Sequence, residues 1–196
     1  LHLATWKLLV NRALFTEIKV VHLVMEVLCI VIFHSLLVGV KMNENNKPII
    51  YIDMDGVLVD FESALTKVPP EMLEKFAGEY DNIPGVFALM DPMPGALEAV
   101  DALKEKYDLY ILSSSPWENP TALGDKLAWV KKYFGGDGQE NIFFRKVVFS
   151  SVKQLSRGDI LIDDRTAKGA AEFAGRHIHF GSSQFPDWQS VLDELL

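Results

Sequence analysis

Cysteine is almost absent from this chain: Cys29 is the only one in 196 residues. An intrachain disulfide is therefore excluded, and no Cys/His cluster has zinc-ligand spacing. A reducing, cytoplasmic setting fits that cysteine usage. Positive charge is also scarce, with 19 Lys and Arg against 27 Asp and Glu and a net charge of −8. Such a chain lacks the basic footprint that a nucleic-acid polymer needs. A small anionic ligand remains compatible, because a local cationic site outweighs distant charges that salt screens. Internal repeats and low-complexity tracts are missing too. What is present is 49% apolar and 23% charged residues, the balance of a chain that folds around a core. The length suits one domain, or one domain with a small accessory unit.

Residues 1–41 differ from the remainder. Lys7, Arg12 and Lys19 precede an apolar stretch from Val20 to Val40 that His22, Glu26 and His34 interrupt. That length matches a membrane span, although Glu26 would cost about 2–3 kcal/mol near a bilayer centre. The uncharged run Val27 to Val40 also has the length of a signal-peptide core, but no good small-x-small cleavage site follows it. Met42 opens a polar stretch just before the first convincing strand. Three readings stand: upstream sequence translated ahead of a start at Met42, a membrane anchor or export signal, or a packed helix. A membrane partner, or a membrane-anchored or exported location, is expected only if residues 1–41 belong to the natural protein.

From residue 42 onward, short apolar runs alternate with helical periodicity. Pro48 to Asp53, Leu109 to Leu112, Val147 to Phe149, Asp159 to Ile162 and His177 to Phe180 read as strands. Gly95 to Lys106, Leu127 to Phe134, Ala167 to Ala174 and Trp188 to Leu196 read as helices. Strands alternating with helices predict a parallel sheet in a three-layer α/β domain. Two short helices, Phe61–Lys67 and Glu71–Tyr80, break that rhythm before Pro92. They are too short for a core of their own and suit a cap over the sheet's ligand-binding edge.

Ligands in open α/β sheets bind at the carboxyl ends of the strands. The chemically unusual residues fall there: Asp53 and Asp55 after the first strand, Ser114 after the second, Lys153 after the third, and Asp163-Asp164 after the fourth. Carboxylates gathered in one place repel each other, and a hard cation such as Mg²⁺ relieves that repulsion. A phosphate also needs positive charge and hydrogen-bond donors, which Lys153, Ser114 and loop amides supply.

At these positions the sequence resembles the haloacid-dehalogenase (HAD) superfamily. Asp53-Met54-Asp55-Gly56-Val57 matches its first motif, Ser114 its second, Lys153 its third and Asp163-Asp164 its fourth, over residues 48–196. A closer resemblance is to the 5′(3′)-deoxyribonucleotidases of that superfamily. It is carried by Asp55 to Phe61, Pro92-Met93-Pro94-Gly95, Ser114-Ser115-Pro116, Leu127 to Gly135, Leu161 to Arg165 and Asp187-Trp188.

The resemblance implies a Rossmann-like HAD domain over residues 42–196, with a small helical cap at about residues 61–92. It implies a Mg²⁺-dependent phosphomonoester hydrolase acting on a small phosphorylated substrate, a nucleoside monophosphate. Asp53 would be the nucleophile that forms an aspartyl-phosphate, and Asp55 the acid and base. Mg²⁺ would lie between the Asp53 carboxylate, the Asp55 carbonyl and Asp163, with Asp164 ordering metal-bound water. Ser114, Ser115 and Lys153 would bind the phosphate. Phe61, Phe87 and Trp117 are candidates for the substrate pocket, and a homodimer is compatible with the chain.

Each residue also has a plainer reading. Asp164 suits a helix cap, Ser114 competes with Ser113 and Ser115 for register, and Lys153 competes with Arg145 and Lys146. Phe61 suits a cap-core aromatic, His177 and His179 suit a structural strand, and Lys131-Lys132 suits a solvated face. Two other functions fit the sequence. One is a HAD phosphatase for a sugar phosphate or another small phosphomonoester; the other is a non-catalytic binding module on the same fold.

Overall fold

The computed structural model describes residues 47–196. The expectations for residues 1–41 and for Met42 lie outside the described residues. Among the described residues, no helix is long and apolar enough to cross a membrane.

Five parallel strands form the sheet: β1 (Ile49–Ile52), β4 (Asp108–Ser113), β5 (Val147–Phe149), β6 (Ile160–Asp163) and β7 (Arg176–His179), in the order β5-β4-β1-β6-β7. β1 is central because both of its edges are paired, to β4 and to β6. Its side chains alternate. Ile50 and Ile52 enter the main core, while Tyr51 packs with Leu112, Leu161, Ala170 and Phe173 on the other face.

The main core also takes residues of three helices, α3 (Ala96–Leu103), α4 (Ala122–Tyr133) and α5 (Trp188–Leu195). Each helix buries residues at helical spacing: Ala96, Ala99, Val100 and Leu103 on α3, Trp129 and Val130 on α4, and Trp188, Val191 and Leu195 on α5. α5 starts with a capping box, in which the Asp187 carboxylate accepts from the Ser190 amide at 2.9 Å and the Ser190 hydroxyl accepts from the Asp187 amide. Its Trp188 indole donates to the Val57 carbonyl at 2.9 Å, which ties the helix to the loop after β1.

That loop leads into a short antiparallel ribbon, β2 (Val59–Asp60) with β3 (Asp91–Pro92). Between the two strands lie α1 (Phe61–Leu65), α2 (Pro70–Lys75) and 3-10 turns at Tyr80–Asn82 and Val86–Ala88. α1 starts at Asp60, whose carboxylate accepts from the Ser63 amide, and α2 has Pro70 at its first position. The expected helix through Tyr80 stops at Lys75, and left-handed Gly78 (φ 85°) follows. The insertion is anchored to the segment before α4. The Asn119 amide donates to the carbonyls of Asp81 and Ile83, and the Thr121 hydroxyl accepts from the Gly85 amide at 2.8 Å.

One expected helix does not form: residues 167–174 run as a series of turns. Lys168 (φ 55°) and Gly169 (φ 80°) are both left-handed, a combination that an α-helix cannot contain. Tertiary contact dictates this path. A Cβ on Gly169 would fall 1.6 Å from Gln154 Oε1, and the Lys168 carbonyl accepts from the Lys153 amide at 3.0 Å. The segment packs against the Lys153 turn, and that packing overrides its helical composition.

Candidate active site

The sheet register brings the predicted residues together. Ile52 pairs with Ile111 on β4 and with Ile162 on β6, so the next residues, Asp53 and Asp163, emerge side by side. The Asp53 amide continues the ladder by donating to the Ile162 carbonyl at 2.9 Å. Ser114 follows β4, and Lys153 opens a 3-10 turn (Lys153–Leu155) four residues past β5.

Lys153 is 2% exposed and lies between two carboxylates, 2.9 Å from Asp53 Oδ2 and hydrogen-bonded to Asp163 Oδ2. Burial pulls its pKa down, but Asp53 and Asp163 outweigh that and hold it above the usual lysine value. The competing cations lie elsewhere: Lys146 pairs with Asp108 at 2.6 Å, and Arg145 stacks over Phe144.

Asp53, Asp163 and Asp164 each place a carboxylate oxygen within 4.8 Å of the others. Asp164 Oδ1 is buried and has no hydrogen-bond partner. Burial, and then the Asp53 carboxylate, push the Asp164 pKa up. A concentrated set of hard oxygen donors with one unsatisfied oxygen fits a divalent cation such as Mg²⁺. Gly56 makes this cluster sterically feasible. Its φ is +75°, and a Cβ there would lie 2.5 Å from Asp164 Oδ2.

Asp55 stands apart from the cluster. Its Oδ2 accepts from Lys126 Nζ at 2.6 Å, while its Oδ1 is buried without a partner. Loss of solvation raises the Asp55 pKa, and Lys126 opposes that rise. Lys126 is fully buried; it also donates to the Ser114 carbonyl at 2.7 Å and to the Ser113 hydroxyl at 3.1 Å, and it lies 4.7 Å from the centre of the Phe87 ring. Sequence reasoning missed it. The signal was present on α4, where Ala122, Lys126, Trp129 and Val130 share one buried stripe, so a lysine occupies an apolar position.

A cleft of about 450 Å³ opens beside these acids. Asp55, Ser114, Arg165 and Lys168 line both this cleft and a smaller recess that reaches Asp53, Lys153 and Asp163. Phe61 and Phe87 line the cleft's outer part with their rings 5.7 Å apart, joined by Tyr80 and Met93. Trp117 is 97% exposed, and neither Trp117 nor Ser115 lines the cleft or the recess. Lys168 and Arg165 are two further cations that sequence reasoning did not single out. Lys168 lies in the segment whose composition predicts a helix that does not form, and Arg165 enters only through the resemblance. His177 and His179 stack 5.8 Å apart on β7, and His179 Nε2 is 3.0 Å from the Asp164 carbonyl.

A parallel sheet with paired acids at the ends of adjacent strands, a lysine between them and a cleft above defines a phosphohydrolase of the HAD superfamily. The family model for "5′ nucleotidase, deoxy (Pyrimidine), cytosolic type C protein" matches residues 63–190. A Vibrio phage KVP40 protein, provisionally named a 5′(3′)-deoxyribonucleotidase, is 46% identical over 155 residues, which cover 79% of this chain and 88% of that one. The human cytosolic-type 5′(3′)-deoxyribonucleotidase is 28% identical over 174 residues, covering 73% of this chain and 78% of that one. Among solved structures, the HAD hydrolase YfnB of Bacillus subtilis aligns over 76% of this chain and 98% of its own, with a TM-score of 0.46 and 11% identity, too distant to inform the site. The chain belongs to the 5′(3′)-deoxyribonucleotidase family and is a phosphoric monoester hydrolase.

Proposed function

We infer that this enzyme removes the phosphate from (deoxy)nucleoside monophosphates through an aspartyl-phosphate on Asp53, with Mg²⁺ as cofactor. One observation carries the reading: the acid–lysine recess at Asp53 shares Asp55, Ser114, Arg165 and Lys168 with a cleft lined by Phe61 and Phe87. A phosphoryl group and an aromatic base attached to it have adjacent places. The relatives' names support the nucleotide.

Asp53, Asp163 and Asp164 would hold Mg²⁺, which would neutralise the charge that otherwise keeps an anionic nucleophile away from an anionic phosphate. Asp53 attacks phosphorus, and the bond to the nucleoside oxygen breaks. Asp55 gives that oxygen a proton, and a pKa raised by loss of solvation favours the protonated form that the donor role needs. Asp55 then takes a proton from the water that hydrolyses the phosphoenzyme. Lys153 balances Asp53 and Asp163 while Ser114 donates to a phosphoryl oxygen. Residues 61–92 act as a cap that selects the leaving group. Asp60, Glu62 and Asp81 along the cleft disfavour a substrate carrying further phosphates there. A cytoplasmic location fits this role and the cytosolic-type human relative.

The test is a substrate panel with Mg²⁺ that compares kcat/KM for deoxynucleoside monophosphates and sugar phosphates. A preference for deoxynucleoside monophosphates is expected; a clear preference for sugar phosphates would overturn the nucleoside assignment.

A further inference from the structure

The cations around the recess are not equally committed. Lys153 is held by Asp53 and Asp163, and Lys126 by Asp55. The Arg165 guanidinium lies 3.6 Å from Asp164. Lys168 is the exception, with no carboxylate partner among the described residues. Its Nζ instead donates to the Ser114 hydroxyl at 2.8 Å. Lys168 lines both the outer cleft and the inner recess.

The backbone is shaped to put it there. Lys168 is one of two non-glycine residues with positive φ among the described residues, and left-handed Gly169 follows it. Its carbonyl is tied to the amide of Lys153, so the loops carrying the two lysines are joined directly. The hydroxyl geometry has a chemical consequence. A serine oxygen that accepts from an ammonium turns its own hydrogen away from that donor, leaving it for another acceptor. Ser114 and Lys168 thus form a donor pair with one uncommitted positive charge.

We propose that Lys168 is a second phosphate-binding cation of this active site, which pairs with a non-bridging phosphoryl oxygen alongside Ser114. This rests on the phosphohydrolase reading of the recess. Lys153 is paired with Asp53 and Asp163, whereas among the described residues no carboxylate pairs with Lys168.

The experiment measures binding of inorganic phosphate to the Mg²⁺-loaded protein by calorimetry, together with KM and kcat for a deoxynucleoside monophosphate. Loss of one charge-assisted hydrogen bond predicts about 10- to 100-fold weaker phosphate binding in Lys168→Met, with a matching rise in KM. Lys168→Arg restores most of both, and the melting temperature of Lys168→Met stays near that of the wild type. If Lys168→Met does not fold, Lys168→Gln is read in its place. Phosphate affinity within twofold of the wild type, or no phosphate binding by the wild type, overturns the proposal. Wild-type protein that binds phosphate in a Lys168-dependent way but hydrolyses no nucleotide would leave Lys168 in place and sink the nucleotidase assignment instead.

Discussion

Replacing Gly56 by alanine perturbs the site without replacing any charged group. Two effects follow, and they separate experimentally. The residue sits at φ +75°, where a non-glycine residue costs about 1–2 kcal/mol. For a domain of this size that lowers the melting temperature by roughly 2–8 °C. The second effect is steric. The new Cβ would lie 2.5 Å from Asp164 Oδ2 and 2.8 Å from its Cγ, well inside the 3.4 Å where ordinary contact begins. The turn has little freedom to yield, since the Met54 carbonyl accepts from the amides of Val57, Leu58 and Val59, and Met54, Val57 and Leu58 are fully buried. Asp164 therefore moves, and its oxygen leaves the group it forms with Asp53 and Asp163. Disturbing a residue that merely orients a metal ligand weakens binding by about 10- to 100-fold, and displacing a ligand costs at least as much. The assay is a Mg²⁺ titration followed by both thermal unfolding and activity. Gly56→Ala should shift the Mg²⁺ midpoint upward by at least about tenfold. A lower melting temperature with an unchanged Mg²⁺ midpoint would mean backbone strain alone, and would refute the view that Gly56 makes room for Asp164.

Lys126→Met removes the cation that opposes the rise in the Asp55 pKa, so the descending alkaline limb of the kcat/KM profile moves to higher pH; a limb that stays put or moves down contradicts the acid role. Asp164 has a folded-state pKa raised by burial and by Asp53, so its contribution to metal-free stability is full below the ordinary carboxyl range and is lost as pH rises through the raised value. Asp164→Asn escapes that loss. Without metal, its melting temperature should exceed that of the wild type by more at about pH 8 than at about pH 4, and Mg²⁺ should stabilise it little. Phe61→Ala removes one aromatic wall of the cleft, and base–aromatic stacking of about 1–3 kcal/mol predicts roughly 5- to 150-fold lower kcat/KM for nucleoside monophosphates. A sugar phosphate should be nearly unaffected; equal losses for both would show that Phe61 only supports the fold.

The strands were readable because each is a short apolar run ending in turn or acid residues, and the acids at those ends could be paired once the sheet was taken as parallel. Asp53 and Asp163 followed from that placement, whereas Lys153 stood above Arg145 and Lys146 only through the resemblance. The turn at 167–174 was not readable, because its alanines and glutamate favour a helix and only contact with Gln154 and Lys153 sets the left-handed pair Lys168-Gly169. Lys168 was hidden by the same error. Lys126 was hidden differently. Its position on the buried stripe of α4 was visible, but its partner Asp55 lies 71 residues away, a contact that helical periodicity does not reveal. Trp117 shows the opposite limit: an aromatic three residues after Ser114 is 97% exposed and does not line the cleft, since proximity along a loop does not fix burial.

The central claim is that Asp53 becomes the phosphoenzyme. Mg²⁺-loaded protein would be mixed with a deoxynucleoside monophosphate, quenched in acid and reduced with borohydride, which converts an aspartyl-phosphate to homoserine. Peptide mass spectrometry should then find homoserine at position 53 in the wild type, and neither homoserine nor phosphate release in Asp53→Asn. Phosphate release by the Asp53→Asn variant, or homoserine at any other aspartate, would contradict the account.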